Sequence, residues 1–175
     1  MNKIYPLKQA VITGVVSAIF ATGAFTVVDS LNQHYSWNIN PATIRGLVGL
    51  LTLIILGIGI YAGMQSIKKA NQGQLSYGQA LLTGFLVAIT VGIVMAVLGM
   101  VYTNIINRGY TDYMVAEGKK ALLAEGRSNA DIANGVADLQ KQFAPAMQAM
   151  QALVGQTIAG TLIALIMALF IRTKK

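Results

Sequence analysis

Few side chains in this sequence could carry chemistry, and their spacing argues against most of it. Asp29, Ser30 and His34 supply a carboxylate, a hydroxyl and an imidazole close together. A hydrolytic triad is defined by geometry, not by adjacency along the chain, and no glycine turn of the oxyanion type accompanies the three. They are not read as catalytic. His34 is the one histidine and there is no cysteine. That removes thiol catalysis, disulfides, thiolate zinc sites and iron–sulfur ligation, and leaves little for an all-protein transition-metal site. Met147 and Met150 lack a His or Cys partner for copper, so gap-filling is the default reading of them. Asp112, Glu117, Glu125, Asp131 and Asp138 are balanced by Lys119, Lys120, Arg127 and Lys141, which is the pattern of a solvated helical surface. No phosphate loop, dinucleotide fingerprint or metal motif is present. The expectation is a protein that is not an enzyme and takes no cofactor or metal.

The elements that carry these residues follow from the gaps between charges. Only 11% of the 175 residues are charged while 55% are apolar, and mean hydropathy is +0.60. A soluble domain usually has roughly 25% charged residues. Between Lys8 and Asp29 lie 20 uncharged residues, between Arg45 and Lys68 22, between Lys69 and Arg108 38, and between Lys141 and Arg172 30. A hydrocarbon core of ~30 Å needs about 20 helical residues, and runs this long exclude barrel strands of about ten alternating residues. The reading is an all-α membrane protein, a single membrane domain over residues 1–175. Its four transmembrane helices form a bundle, with spans at about 9–28, 46–67, 80–106 and 152–171. An extracytoplasmic helical insert at about 108–145 lies between spans three and four. The first run exceeds a signal-peptide core and Ala21–Ala24 is a poor cleavage signature, so it is read as a retained anchor. At 27 residues, about 40 Å of helix, Ala80–Ile106 must tilt or project beyond the bilayer. The start of span four shows a similar excess.

Orientation follows from charge. Met1–Lys8, the loop Lys68–Gln79 and Arg172–Lys175 hold seven Lys/Arg and no acid, whereas Asp29–Arg45 and Arg108–Lys141 hold six Lys/Arg and all six acids. The positive-inside rule puts both termini in the cytoplasm, and the expected location is a bacterial inner (cytoplasmic) membrane. The net charge of +7 then reflects topology and anionic lipid headgroups. It does not indicate nucleic acid, because no basic patch interleaved with stacking aromatics accompanies it. Tyr35 and Trp37 outside, and Tyr5 and Tyr77 inside, suit an interfacial aromatic belt.

Local signals place the helix ends. Asn40-Pro41 fits an N-cap followed by proline at the start of span two. Gly73 marks a turn, and Ser76-x-x-Gln79 is a capping box opening span three. In the insert, Thr111 is a cap for a first helix running to Glu125 and stopping at Gly126. Ser128-x-x-Asp131 caps a second. Ile132, Val136, Leu139 and Phe143 then form one apolar stripe, and Pro145 allows a kink before the bilayer. The stripe either folds back on Met114, Val115, Leu122 and Leu123 or is offered to a partner.

No ionisable residue falls in the core of a span, so buried-carboxylate proton coupling has no machinery here. Gln65, Gln156, Thr13, Ser17, Thr83, Thr90 and Thr161 are read as hydrogen-bonding between helices or to backbone. Small residues recur every four positions: Gly59 and Gly63 in span two, Gly84, Ala88, Gly92 and Ala96 in span three, Gly160, Ala164 and Ala168 in span four. They are read as seams of close helix approach within the chain, with dimerisation or a substrate passage as the alternatives.

The segment Gly73–Phe85, GQLSYGQALLTGF, resembles the central signature of an uncharacterised family of small bacterial membrane proteins, domain of unknown function forty-one ninety-nine. The resemblance implies four spans, a glycine turn, a Ser-aromatic-Gly-Gln-Ala entry into span three and a long helical insert before span four. Asn107-Arg108-Gly109 departs from the proline-containing exit often seen after span three in that family. It implies no activity, and Ser76 and Gln79 already have a capping role. The functional expectation is a non-enzymatic integral membrane protein, an accessory or interaction subunit. The alternative is a small oligomeric transporter or lipid-handling permease. The partners expected are membrane lipid, another membrane or extracytoplasmic protein, and a second copy of the chain as a homo-oligomer.

Overall fold

The computed structural model describes residues 5–35 and 41–173, with side chains for all of these except 29, 30, 32–35, 41 and 42. The expectations on Lys3, Trp37, Asn40, Lys174 and Lys175, and on the side chains of His34 and Tyr35, lie outside the described residues. Among the described residues the fold is all-helical. In chain order it comprises α1 (Leu7–Tyr35), α2 (Pro41–Ala70), α3 (Tyr77–Val101) with a π-helical turn at Tyr102–Ile106, α4 (Tyr110–Ala124), α5 (Asn129–Phe143) and α6 (Pro145–Ile171). Four segments are long and apolar enough to cross a membrane: Leu7–Val28, Thr43–Ala70, Tyr77–Ile106 and Pro145–Ile171. Each runs past the limits set by counting charges. Lys8, Arg45, Lys68 and Lys69 stay helical, because long basic side chains can extend their charge toward water from a helix end.

The chain divides into two compact units, one holding the described residues up to Met95 together with those from Ala152 onward, the other Ala96–Gln151. The second unit therefore takes in the insert and also the last turns of α3 and the first turns of α6.

The bundle unit has a core of Leu56, Ile60, Met64, Val87, Val91 and Ala164, with Leu75 closing one end. Its helix ends obey the local rules. Gln79 N donates to Ser76 Oγ (3.2 Å) and Ser76 N donates to Gln79 Oε1 (2.9 Å), a reciprocal capping box. α2 ends in a Schellman arrangement, Gly73 N donating to Lys68 O (2.8 Å) and Gln72 N to Lys69 O (3.2 Å). This requires left-handed backbone at Gln72 (φ 56°) and Gly73 (φ 81°).

Within the second unit, α4 and α5 form a helical hairpin. Gly126 (φ 69°) ends the first arm, and Ser128 Oγ accepts from Asp131 N (3.2 Å) to cap the second. Thr111 is not the cap of α4. The helix already starts at Tyr110, and the Thr111 hydroxyl instead donates to Phe143 O (3.0 Å), tying the two arms together at their ends. At Pro145 there is a full break and not a kink: α5 stops at Phe143 and Ala144 is extended (φ −58°, ψ 135°), as the residue before a proline prefers.

Candidate functional site

The small residues of α3 and α6 meet. A Cβ on Gly84 would collide with the Cβ of Ala164, and one on Gly160 with the Cβ of Ala88. A Cβ on Gly92 would stand 2.9 Å from the carbonyl oxygen and 3.1 Å from the Cα of Leu153, both backbone atoms that cannot swing aside. The two helices thus approach at backbone distance along three successive turns, the geometry that small-xxx-small spacing allows. Ala168 is fully buried in the same core. Gly59 faces α1, where a Cβ would collide with Thr13, and Gly63 faces Pro6 and Val87, each 3.0 Å from a Cβ placed there. Ala96, the last small residue of the α3 series, is half-buried and belongs to the second unit. One close approach was not anticipated: Gly14 of α1 sits over Val94 of α3. The signal was the run Thr13, Gly14, Ser17, Ala18, small side chains on one stretch of span one.

The polar groups inside the spans are mostly spent on their own helices. Thr13 donates to Gln9 O (2.7 Å), Thr52 to Val48 O (2.7 Å) and Thr161 to Thr157 O (2.6 Å). Thr90 donates to Leu86 O (2.8 Å), and its hydroxyl also lies 2.7 Å from the Tyr5 hydroxyl. Gln65 Nε2 donates to the Tyr61 hydroxyl (3.1 Å). Two depart from that expectation: Ser17 Oγ and Gln156 Oε1 are buried without a hydrogen-bond partner.

At the end of the bundle that holds the α2–α3 turn, the chain's last described residues are tied down. Thr173 N donates to Leu75 O (2.8 Å), Leu75 N donates to Thr173 Oγ1 (3.0 Å), and that hydroxyl donates to Gly73 O (2.9 Å). Lys68 Nζ donates to Ile171 O (2.9 Å), a cation satisfying an orphan carbonyl at a helix C-terminus. The sequence hid this tie, because a turn and a terminus about a hundred residues apart show no periodicity.

In the hairpin, the apolar stripe of α5 faces α4, the first of the two alternatives its spacing left open. Ile132 and Phe143 are buried, Leu139 lies against Gly118, its Cδ1 2.5 Å from where a Cβ would be, and Val136 between them is half-buried. From the other arm, Leu122 lies over Gly135. Phe143 joins Tyr102, Tyr110 and Met114 in a small core, with the two tyrosine rings edge to face at 5.9 Å. α4 thus covers part of the stripe: Ile132 and Phe143 are buried against it, while Val136 and Leu139 keep partial exposure. The hairpin exposes the charged Lys119, Lys120, Glu125, Arg127, Asp131, Asp138 and Lys141, and also Leu123, expected beneath the stripe and instead 54% exposed. The Glu117 carboxylate beside Lys120 raises that ammonium above its ordinary range, by a hydrogen bond first and charge attraction second. Among the described residues no three His, Cys, Asp or Glu side chains converge. Asp29, Ser30 and His34 are all helical, in the last turns of α1.

Four apolar helices, a seam of small residues and a charged hairpin define a polytopic α-helical membrane protein. Within that class, the family described as protein of unknown function (DUF4199) matches residues 8–173, and the chain belongs to it. Neither the curated proteins nor the solved structures contain a match.

Proposed function

We propose that the protein is a non-enzymatic membrane component, an accessory or interaction subunit, with both termini in the cytoplasm of a bacterial cell and the α4–α5 hairpin outside its inner membrane. The observation that carries this reading is the α3–α6 seam, where Gly84, Ala88 and Gly92 meet Ala164, Gly160 and Leu153 with no room for a side chain. A permease that passes solute along a seam needs polar lining or a gap. Here most hydroxyls near the core bond their own backbone, and the ionisable groups of the spans, Lys8, Arg45, Lys68 and Lys69, stand toward their ends. A partner is then met through the hairpin, whose surface is mostly charged with Leu123 exposed among the charges. The orientation rests on the density of Lys and Arg in Met1–Lys8, Lys68–Gln79 and Arg172–Lys175.

The chain lacks cysteine, so single cysteines report topology cleanly. Ala133→Cys is expected to react with a membrane-impermeant maleimide on intact cells, and Gln74→Cys only after permeabilisation; the reverse would overturn the orientation. Purification of the full chain from native membrane in mild detergent is expected to retain a stoichiometric protein partner, cross-linked through Lys119 or Lys141. A chain that purifies alone and moves lipid or solute in reconstituted vesicles would make it a transporter.

A further inference from the structure

One layer of the bundle core holds more hydrogen-bonding groups than the protein satisfies. Thr13 of α1 lies against Gly59 of α2, and Gly160 of α6 lies against Leu56 of α2. Beyond the first of these contacts α1 and α2 part, at a groove that Ile19, Phe20, Val48 and Leu51 line together. Ser17 stands about one turn from both Thr13 and Phe20, and Thr52 one turn from both Val48 and Leu56. Gln156 is one turn from Gly160. Residues three or four apart share a helix face. The contacts therefore bracket Ser17, Thr52 and Gln156 at one level of the core, on the faces that α1 and α6 turn toward α2. Ser17 is 0% exposed and Thr52 3%.

Donors and acceptors do not balance in this layer. On α1 the hydroxyls of Thr13, Thr22 and Thr26 each donate to the carbonyl four residues back, but Ser17 Oγ has no partner. Its proton is free to give. Thr52 spends its proton on Val48 O (2.7 Å), so its oxygen can only accept. Gln156 Oε1, also buried without a partner, can only accept. One proton cannot serve two acceptors, and unpaired polar groups are costly in an apolar core. A single water closes the set: it accepts from Ser17 and donates to Thr52 and Gln156. Three hydrogen bonds is the usual complement of a buried water. The spans have no carboxylate in their cores, so three neutral oxygens give a bare cation no charge to pair with.

We propose that Ser17, Thr52 and Gln156 hold one ordered water that joins α1 and α6 to α2. The site is structural and does not depend on the accessory reading. It is no solute passage, because Leu56, Ile60, Met64, Val87 and Val91 are fully buried in the same core and offer water no further partner.

The test is hydroxyl-radical footprinting of the full chain in lipid nanodiscs, because radicals generated from a bound water mark the side chains nearest to it. Leu56, one turn from Thr52, is expected to label several-fold above Ile60 and Val87, which are equally buried but further from the layer. Ser17→Ala and Gln156→Met should each lower Leu56 labelling several-fold. Ile60 and Val87 staying at background reports that each variant is folded. Both substitutions should also lower the thermal midpoint, and the double variant should lower it by less than their sum, since the two groups share one water. Leu56 labelling no higher than that of Ile60 would overturn the proposal. So would a raised midpoint in Ser17→Ala, which would show a hydroxyl left unpaired and better removed. A midpoint that rises when sodium replaces choline would overturn it in favour of a cation as the occupant.

Discussion

In the α4–α5 hairpin, Phe143 and Ile132 are buried while Asp138 and Lys141 stand in solvent. In the bundle the order is of another kind: Phe170 is 82% exposed, and Ala88 and Ala164 are fully buried. The hairpin sorts residues by polarity because its outside is water, which rewards burial of apolar surface. The bundle cannot sort that way, because lipid is as apolar as leucine and gives no hydrophobic reason to turn a large side chain inward. It sorts by size. At the α3–α6 seam small residues let the backbones approach and dispersion contacts are densest, while many bulky residues such as Phe170 stay on the outer face.

The largest effect is expected where size sorting is strictest. Gly92→Leu places a side chain against the carbonyl and Cα of Leu153 and cannot be relieved by a rotamer change. A cost of about 3 kcal/mol, the upper end for overpacking, should appear as loss of the monodisperse folded chain in detergent. Gly155→Leu, on α6 two residues from Leu153 but exposed and with nothing within 4 Å, should leave thermal stability unchanged. Equal behaviour of the two variants would show that glycine in α6 and its partner is not selected for size.

The same contrast explains what could be read from the sequence. The four spans were legible because a bilayer sets a length and punishes charge, and the caps at Ser76 and Ser128 were legible because capping is a local rule. The stripe Ile132–Phe143 showed in advance that α5 had a covered face, but not what covered it. That depends on Gly118 and Gly135 being small enough to admit Leu139 and Leu122, and periodicity in one helix says nothing of the holes in another. Likewise the four-residue spacing of Gly84, Ala88 and Gly92 announced a seam without naming α6 as the partner. The π-turn at Tyr102–Ile106 and the groove beside Val48 left no trace in the pattern. One is a local shift of hydrogen-bond register, and the other is a region where two helices fail to meet.

A charge on the hairpin's covered face tests its half of the contrast. Leu139→Asp puts a carboxylate against Gly118 and the Phe143 cluster, costing about 2–3 kcal/mol for a half-buried site. Hydrogen exchange should accelerate across residues 110–143. Ala133→Asp, on the exposed face of the same helix, should leave exchange as it is. If both variants exchange normally, the hairpin is not held by polarity sorting and the distinction between the units fails.

The tie between the α2–α3 turn and Thr173 is a polar device in an otherwise apolar unit. Thr173→Val keeps the shape and removes two hydrogen bonds, from Leu75 N and to Gly73 O. Each is worth about 1 kcal/mol. Faster proteolysis of the C-terminus at unchanged bundle stability is the expected result, and a fall in bundle stability would mean the tie carries α6 as well.

The smallest effect is expected at Ser128, and it sharpens the comparison by working inside the hairpin alone. The hydroxyl accepts from Asp131 N at 3.2 Å and lies 2.7 Å from Asp131 Oδ2, so it satisfies one orphan donor of α5 and positions a carboxylate at the positive end of that helix. Ser128→Ala removes both and should cost about 1 kcal/mol. Because the cap is exposed, water replaces part of what is lost, and the change should be confined to faster amide exchange over the first turn, Asn129–Ile132. Ser128→Asp should restore the slow exchange only in part, since it keeps an acceptor for the backbone but sets a second carboxylate beside Asp131. Loss of exchange protection at Met114 or Phe143 in Ser128→Ala would show that the cap and the aromatic core melt as one unit, so that the hairpin depends on its ends as much as on its covered face.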